Sequence, residues 1–328
     1  MLKTEFDIII YDNVGMPFIG STIRHQSLGG SEFELILIAE KLAQFGKKVL
    51  IINTFDFPAY EYGVYYYPTY LLKEHEFKCT NFIINRYSKP FNDNIKFENI
   101  FIFLQDIYSS EYSSYFEHIL NFYPKTKFIT VSKWLQSLLP KSYDSTFIHN
   151  MIPDWVYNFQ TKRIPNKYIY CSASFKGLQE TIELWVNLKK NPLLKKAELY
   201  VCNPGYDQVD EKLLKTHKIN FLGNLPFHNL IEEMASSMGL FYVNKIPETF
   251  CIVAALANAL KINTHILCLS DFGALTEILP NNPCITQNTE QFVTNFIKFY
   301  NKNEICAPLQ NYSSEVIFND WKKLLRYN

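Results

Sequence analysis

Short apolar runs alternate with stretches of helical periodicity along most of the chain, the pattern of stacked βαβ units around parallel sheets. Residues 6–11 predict the first strand. Ser31 and Glu34 then read as an S-x-x-E capping box, and Phe33, Ile36, Leu37, Leu42 and Phe45 mark one helical face. Gly46 stands where a glycine ends a helix. Further strands are expected at 49–52, 99–104 and 127–131, whereas the Tyr-, Pro- and Phe-rich stretch 56–70 reads as a loop. The alternation stops between Asn150 and Pro165, the mark of a linker. A second series follows, with strands at 168–171, 197–202, 219–222, 240–243 and 265–269. Its helices are expected at 178–190, after Pro226, at 250–260 and from Gly273, and residues 315–327 form an amphipathic tail.

With 328 residues the chain exceeds one domain and suits two of about 150 residues each. Its 32 basic and 32 acidic side chains balance, so no net field favours nucleic acid or an anionic membrane. Seven cysteines, odd in number and mostly inside apolar runs, read as buried thiols of a reducing compartment; the expected location is cytoplasmic. The segment Met1-Leu2-Lys3-Thr4-Glu5 leads into a strand and lacks the shape of a signal peptide. No apolar run reaches the roughly 18 residues needed to span a bilayer, which leaves only peripheral membrane contact open.

Three loops carry candidate chemistry. Gly29 and Gly30 precede a helix, where bare backbone and free N–H groups suit an anion, although a tight turn with a capped helix explains them as well. Ser174-Phe175-Lys176-Gly177 follows a strand, so Lys176 is either a solvated lysine or a partner for a diphosphate. Glu248-Thr249-Phe250-Cys251-Ile252 joins a strand end to a mostly apolar helix, and Ser270-Asp271-Phe272-Gly273 repeats that arrangement. An acid at a helix start complements the helix dipole, but it also accepts hydrogen bonds from sugar hydroxyls. Neither His spacing nor any D-x-D pair suggests a metal site. The Tyr60–Tyr70 aromatics pack a loop or stack a sugar, and His25 lies near the glycine loop.

In order and spacing, the segments Gly29-Gly30-Ser31-Glu32, Phe128-Ile129-Thr130-Val131-Ser132, Phe175-Lys176-Gly177-Leu178, Glu248-Thr249-Phe250-Cys251-Ile252 and Ser270-Asp271-Phe272-Gly273-Ala274-Leu275 resemble retaining glycosyltransferases of family four. The resemblance implies a GT-B fold: two Rossmann-like α/β/α domains facing a central cleft. The expected division is 1–150 for the acceptor, 166–310 for the donor, and 311–328 as a helix crossing back to the first domain. It implies a nucleotide-diphosphate sugar as donor, a glycan or other hydroxyl acceptor, no cofactor and no metal. Carried over residue by residue, Glu248, Lys176 and Asp106 become the catalytic candidates. Gly29, Gly30, Ser174, Lys176, Gly177, Glu248, Thr249, Phe250, Cys251, Ile252 and Gly273 become the donor-binding ones.

The chain departs from the family at several points. Leu256 stands where a second Glu grips the ribose, and Ala259-Leu260-Lys261 replaces a small-residue run ending in Gly. Cys171, Ser172 and Ala173 occupy the region of the Arg that commonly precedes the phosphate-binding Lys, Gln105-Asp106 the place of a His, and Asn150 is followed by Met151 instead of Gly. A non-catalytic sugar-nucleotide-binding or scaffold protein of the same fold is the alternative. A sugar-nucleotide epimerase fits less well because no matching acid cluster is found.

Overall fold

The computed structural model describes residues 4–88, 94–302 and 307–327. Met1–Lys3 and Cys306 lie outside these residues. The chain forms two compact units, one of Met1–Thr22, Gly30–Met151 and Ser314–Asn328, the other of Ile23–Gly29 and Ile152–Ser313.

The chain begins with β1 (Glu5–Tyr11), the single turn α1 (Thr22–His25) and α2 (Gly30–Gln44). There follow β2 (Val49–Asn53), β3 (Ala59–Glu61), β4 (Val64–Pro68), β5 (Phe77–Asn85) and β6 (Ile95–Leu104). Then come α3 (Ser113–Phe122), β7 (Lys127–Thr130), α4 (Lys133–Ser137) and β8 (Ser145–Phe147). The strands lie in the order β3-β4-β2-β1-β5-β6-β7-β8. Every pairing is parallel except the edge pair β3–β4. The sheet order reverses between β1 and β5, which makes their carboxyl ends a switch point, where α/β folds bind ligands.

Two expectations fail in this unit. Residues 56–70 are not a loop: β4 pairs in register with β2, and Tyr66 and Tyr67 are buried. Tyr65 meets the rings of Phe6 and Tyr60, so much of this cluster packs the sheet; Tyr60, Tyr62 and Tyr70 remain exposed. Nor does Glu34 close a capping box, because α2 already starts at Gly30 and Glu34 turns into the interior. There it accepts a hydrogen bond from the Met151 amide at 2.9 Å, and burial pushes its carboxyl well above the usual range.

The second unit runs β9 (Lys167–Cys171), α5 (Leu178–Leu188), β10 (Glu198–Cys202), α6 (Glu211–Thr216), β11 (Asn220–Gly223) and α7 (Phe227–Ala235). It continues through β12 (Gly239–Asn244), α8 (Ile252–Ala259), β13 (Asn263–Cys268), α9 (Leu275–Ile278), β14 (Ile285–Thr286) and α10 (Thr289–Phe299). The order β11-β10-β9-β12-β13-β14 is a doubly wound Rossmann sheet with its switch point between β9 and β12. After it, α11 (Ser314–Leu324) packs on α2 in the first unit, with Trp321 edge-on to Phe103 and Phe318 against Phe45. Its apolar face buries Ile317, Phe318 and Trp321, whereas Val316 is exposed.

His265, on β13, sits among the rings of Tyr168, Phe292 and Phe296. Neither ring nitrogen has a partner among the described residues, and burial pushes the imidazole down to about 3. The unfolded chain therefore binds a proton below about pH 6.5 that the folded one refuses. Stability contributed by neutral His265 is complete above that pH and is lost as pH falls toward 3. Between pH 7 and 5 the loss amounts to about 2 kcal/mol. Urea titrations should show that much less pH dependence in His265→Leu than in the native chain; equal slopes would contradict the burial of a neutral ring.

Candidate functional site

The loops expected to carry chemistry in the second unit converge at its switch point. Lys176 follows β9 and Glu248 follows β12, the two strands at which the sheet order reverses. The Lys176 ammonium donates to both Glu248 carboxylate oxygens, at 3.1 and 3.0 Å. Glu248 is 4% exposed, while the Lys176 side chain is 27% exposed, so the pair is open on the lysine side. Burial works to lower the Lys176 ammonium, and the facing carboxylate more than offsets it, leaving the group raised and charged.

Nothing in the apolar pattern of its strand marks Tyr242, whose hydroxyl donates to Glu248 Oε1 at 2.8 Å. Burial, reinforced by the Glu248 charge, pushes this phenol well above its ordinary range, so it remains a donor. Its side chain belongs to β12, the strand that leads into this loop, six residues ahead of the acid. Glu248 is thus held by one charged and one neutral donor, and Lys176, with three N–H groups, keeps at least one for another anion.

Backbone contacts lock these loops together. Glu248 pairs with Gly273 in a parallel bridge, and the Ala274 amide donates to the Glu248 carbonyl at 2.7 Å. A methyl on Gly273 would lie 2.3 Å from that carbonyl oxygen, so the S-D-F-G-A-L motif is the seat of the acid. Cys251 adopts a left-handed φ of 71° at the start of α8, where the first N–H groups have no partner within the helix. Ile252 and Thr249 are half-buried, Phe250 and Cys251 buried. Leu256, on the same helix, is 1% exposed.

Ser174 is tied to a residue that sequence reasoning missed. One Asp207 carboxylate oxygen accepts from the Ser174 amide at 2.5 Å, its hydroxyl at 2.6 Å and the Phe175 amide at 3.3 Å. The loop after β10 is thereby joined to the turn bearing Lys176.

Asp106 lies elsewhere, in the first unit, where the switch point carries a different set of groups. Asp12 follows β1, Arg86 follows β5 and Asp106 follows β6. Arg86 meets Glu32 at 2.5 Å, Asp12 at 3.5 Å and Asp106 at 3.9 Å. Burial works against the guanidinium, but the three carboxylates outweigh it and its affinity for the proton is raised. Asp106 is the exposed member, 47% open. Gln105 faces inward and donates to Asn85 at 2.9 Å, while Arg86 itself takes a left-handed φ of 56°. Gly30 opens α2, which brings Glu32 to this cluster; Gly29 belongs to the second unit and is buried, and His25 is exposed.

No group of three or more metal-binding side chains occurs among the described residues, and no helix there is long and apolar enough to cross a membrane. The six described cysteines are free and buried.

No family model and no curated protein matches the sequence. Solved structures do match. AviGT4, a glycosyltransferase involved in avilamycin A biosynthesis, superimposes with a TM-score of 0.66 at 10% identity, over 98% of this chain and 97% of its own. Anabaena Alr3699/HepE in complex with UDP-glucose gives 0.69 at 13% identity, over 98% and 100%. A glycosyltransferase from Rickettsia africae ESF-5 gives 0.64 at 13% identity, over 99% and 98%. Likeness at such identities speaks for architecture, and the architecture of this chain is the GT-B fold of glycosyltransferases.

Proposed function

We propose that this protein transfers a sugar from a nucleotide-diphosphate sugar to a hydroxyl acceptor, with retention of configuration and without a metal ion. The observation that carries this reading is the Lys176–Glu248–Tyr242 constellation at the switch point of the second Rossmann sheet. The UDP-glucose complex of a protein with the same fold supports it. Lys176 neutralises the diphosphate as it leaves, the first amides of α8 bind the same phosphates, and Glu248 orients the donor sugar. The acceptor oxygen bonds to the anomeric carbon on the face from which the phosphate departs. The sugar–phosphate bond breaks with its electrons going to the phosphate oxygen, which takes up the acceptor's proton. Asp106, in the first unit, is assigned to the acceptor.

The reading is tested by calorimetry of UDP, GDP, ADP and dTDP in a buffer containing EDTA, followed by product analysis with the matching sugar nucleotides. One of the diphosphates should bind, and Lys176→Ala should weaken it by about 1.5–3 kcal/mol, the scale of a charge-assisted hydrogen bond. Tyr242 still donates to Glu248 in that variant, so the loop keeps a tether. Unchanged affinity, or binding that needs a divalent cation, would overturn the assignment. The buried aliphatic Leu256, in place of the ribose-binding acid that the resemblance calls for, favours a second reading as a non-catalytic sugar-nucleotide-binding protein. Binding without transfer or hydrolysis across a broad acceptor panel would decide for it.

A further inference from the structure

Beside Lys176, two large aromatic side chains are open to solvent: Phe175 is 51% and Tyr206 44% exposed. They come from different loops, one after β9 and one after β10, yet their ring centroids lie 6.4 Å apart with the planes tilted by 47°.

The pair is built, not incidental. Asp207, next to Tyr206, grips the Ser174 and Phe175 amides through one carboxylate oxygen. Its other oxygen accepts from the Asn203 side-chain amide at 2.6 Å, and Asn203 in turn accepts from the Gly205 amide at 2.6 Å. A second strap runs from the Ser174 hydroxyl to the Gln208 carbonyl at 2.9 Å. These bonds fix the backbones under both rings, so little order has to be gained when a flat ligand arrives.

We propose that Phe175 and Tyr206 form a stacking clamp for the base of the nucleotide whose diphosphate Lys176 holds, with Asp207 as the residue that positions it. This rests on the donor site assigned above. A planar ring held between two others needs about 7 Å, two van der Waals gaps, so admitting a base takes a turn of the two side chains from their 47° tilt toward parallel together with a small widening of the 6.4 Å separation. Stacking tolerates any base because each has a π-face, so the clamp contributes affinity and leaves the choice of base to other groups.

The test compares UDP, GDP, ADP and dTDP with inorganic pyrophosphate, which has the charges but no base. Native protein should bind the best nucleoside diphosphate at least ten-fold tighter than pyrophosphate. Phe175→Ala and Tyr206→Ala should each weaken that nucleotide roughly ten-fold, within the range of base–aromatic stacking, and leave pyrophosphate within about two-fold. Tyr206→Phe should keep nucleotide affinity. Equal losses for nucleotide and pyrophosphate would mean that the rings merely support the loop, and no loss for either would overturn the clamp. Should native protein bind pyrophosphate as well as any nucleotide, the diphosphate site stands and the clamp falls. Should it bind none of these probes, the donor site itself is wrong.

Discussion

Glu248→Gln is expected to lower kcat/KM for sugar transfer by roughly 10²–10³, the scale of losing one preorganised polar group at a reacting centre. The substitution keeps volume and removes only the charge, at a residue that is 4% exposed and receives hydrogen bonds from Lys176 and Tyr242. Its signature lies in the split between binding and turnover. In the native protein, Lys176 spends two contacts on Glu248. A neutral amide releases the ammonium for the diphosphate, so a nucleoside diphosphate without sugar should bind Glu248→Gln as tightly as native protein, or tighter. The lost interaction is then one with the sugar in the transition state, not with the nucleotide. Steady-state kinetics beside calorimetry reads both. Turnover within three-fold of native would remove Glu248 from the chemistry, and nucleotide affinity falling in step with turnover would make it a structural prop.

What could be read from the sequence follows a physical boundary. Strands ending in loops with chemistry, such as 168–171 before Lys176 and 240–243 before Glu248, announce themselves because an apolar run stops at a polar residue, Ser172 in the first and Asn244 in the second. β5 (Phe77–Asn85) did not, although it is central: Lys78, Thr80 and Asn81 interrupt its apolar pattern, and the Asn81 side chain bonds to Asn99 on the neighbouring strand and to Tyr327 near the end of the chain. Tyr66 in β4 looked like a loop residue because its neighbours carry turn chemistry, yet β4 is set by register against β2. Likewise the Glu34 capping box was locally well formed and lost to a tertiary hydrogen bond with Met151. In the site, the sequence names groups that sit on loops; it is silent on Arg86 and Asp207, whose partners arrive from other strands or loops, and on Tyr242, which reads as one more apolar position of β12 although its hydroxyl reaches the loop six residues on. Among these, Arg86 shows best why: Asp12, Glu32 and Asp106 surround it only because β1, β5 and β6 are neighbours and α2 starts beside them.

Gly177→Ala is expected to be the most damaging small substitution in the second unit, costing about 3–4 kcal/mol of folding stability. Two separate penalties act there. Gly177 has a φ of 135°, a conformation that side chains with a Cβ rarely adopt, and an added methyl would sit 2.1 Å from the Val243 carbonyl oxygen. That oxygen belongs to β12 and cannot swing away as a side chain would. The Lys245 amide also donates to the Lys176 carbonyl at 2.9 Å, and the Thr181 hydroxyl both caps the Gly177 carbonyl at 2.7 Å and accepts from the Val243 amide at 3.0 Å. The β9–α5 turn and the end of β12 therefore move together or not at all. Making room for the methyl has to drag Lys176 out of register with Glu248, so nucleoside-diphosphate affinity should fall about ten-fold in whatever fraction remains folded. Gly46→Ala supplies the control: its φ of 84° is also positive, but nothing lies within 4 Å of the added methyl. That variant carries only the backbone penalty, about 1–2 kcal/mol, and leaves the nucleotide site untouched. Denaturant titrations of the two variants separate conformational strain from steric collision. A Gly177→Ala protein no less stable than Gly46→Ala, with native affinity for the nucleotide, would show that the turn has more room than the contact between Gly177 and Val243 allows.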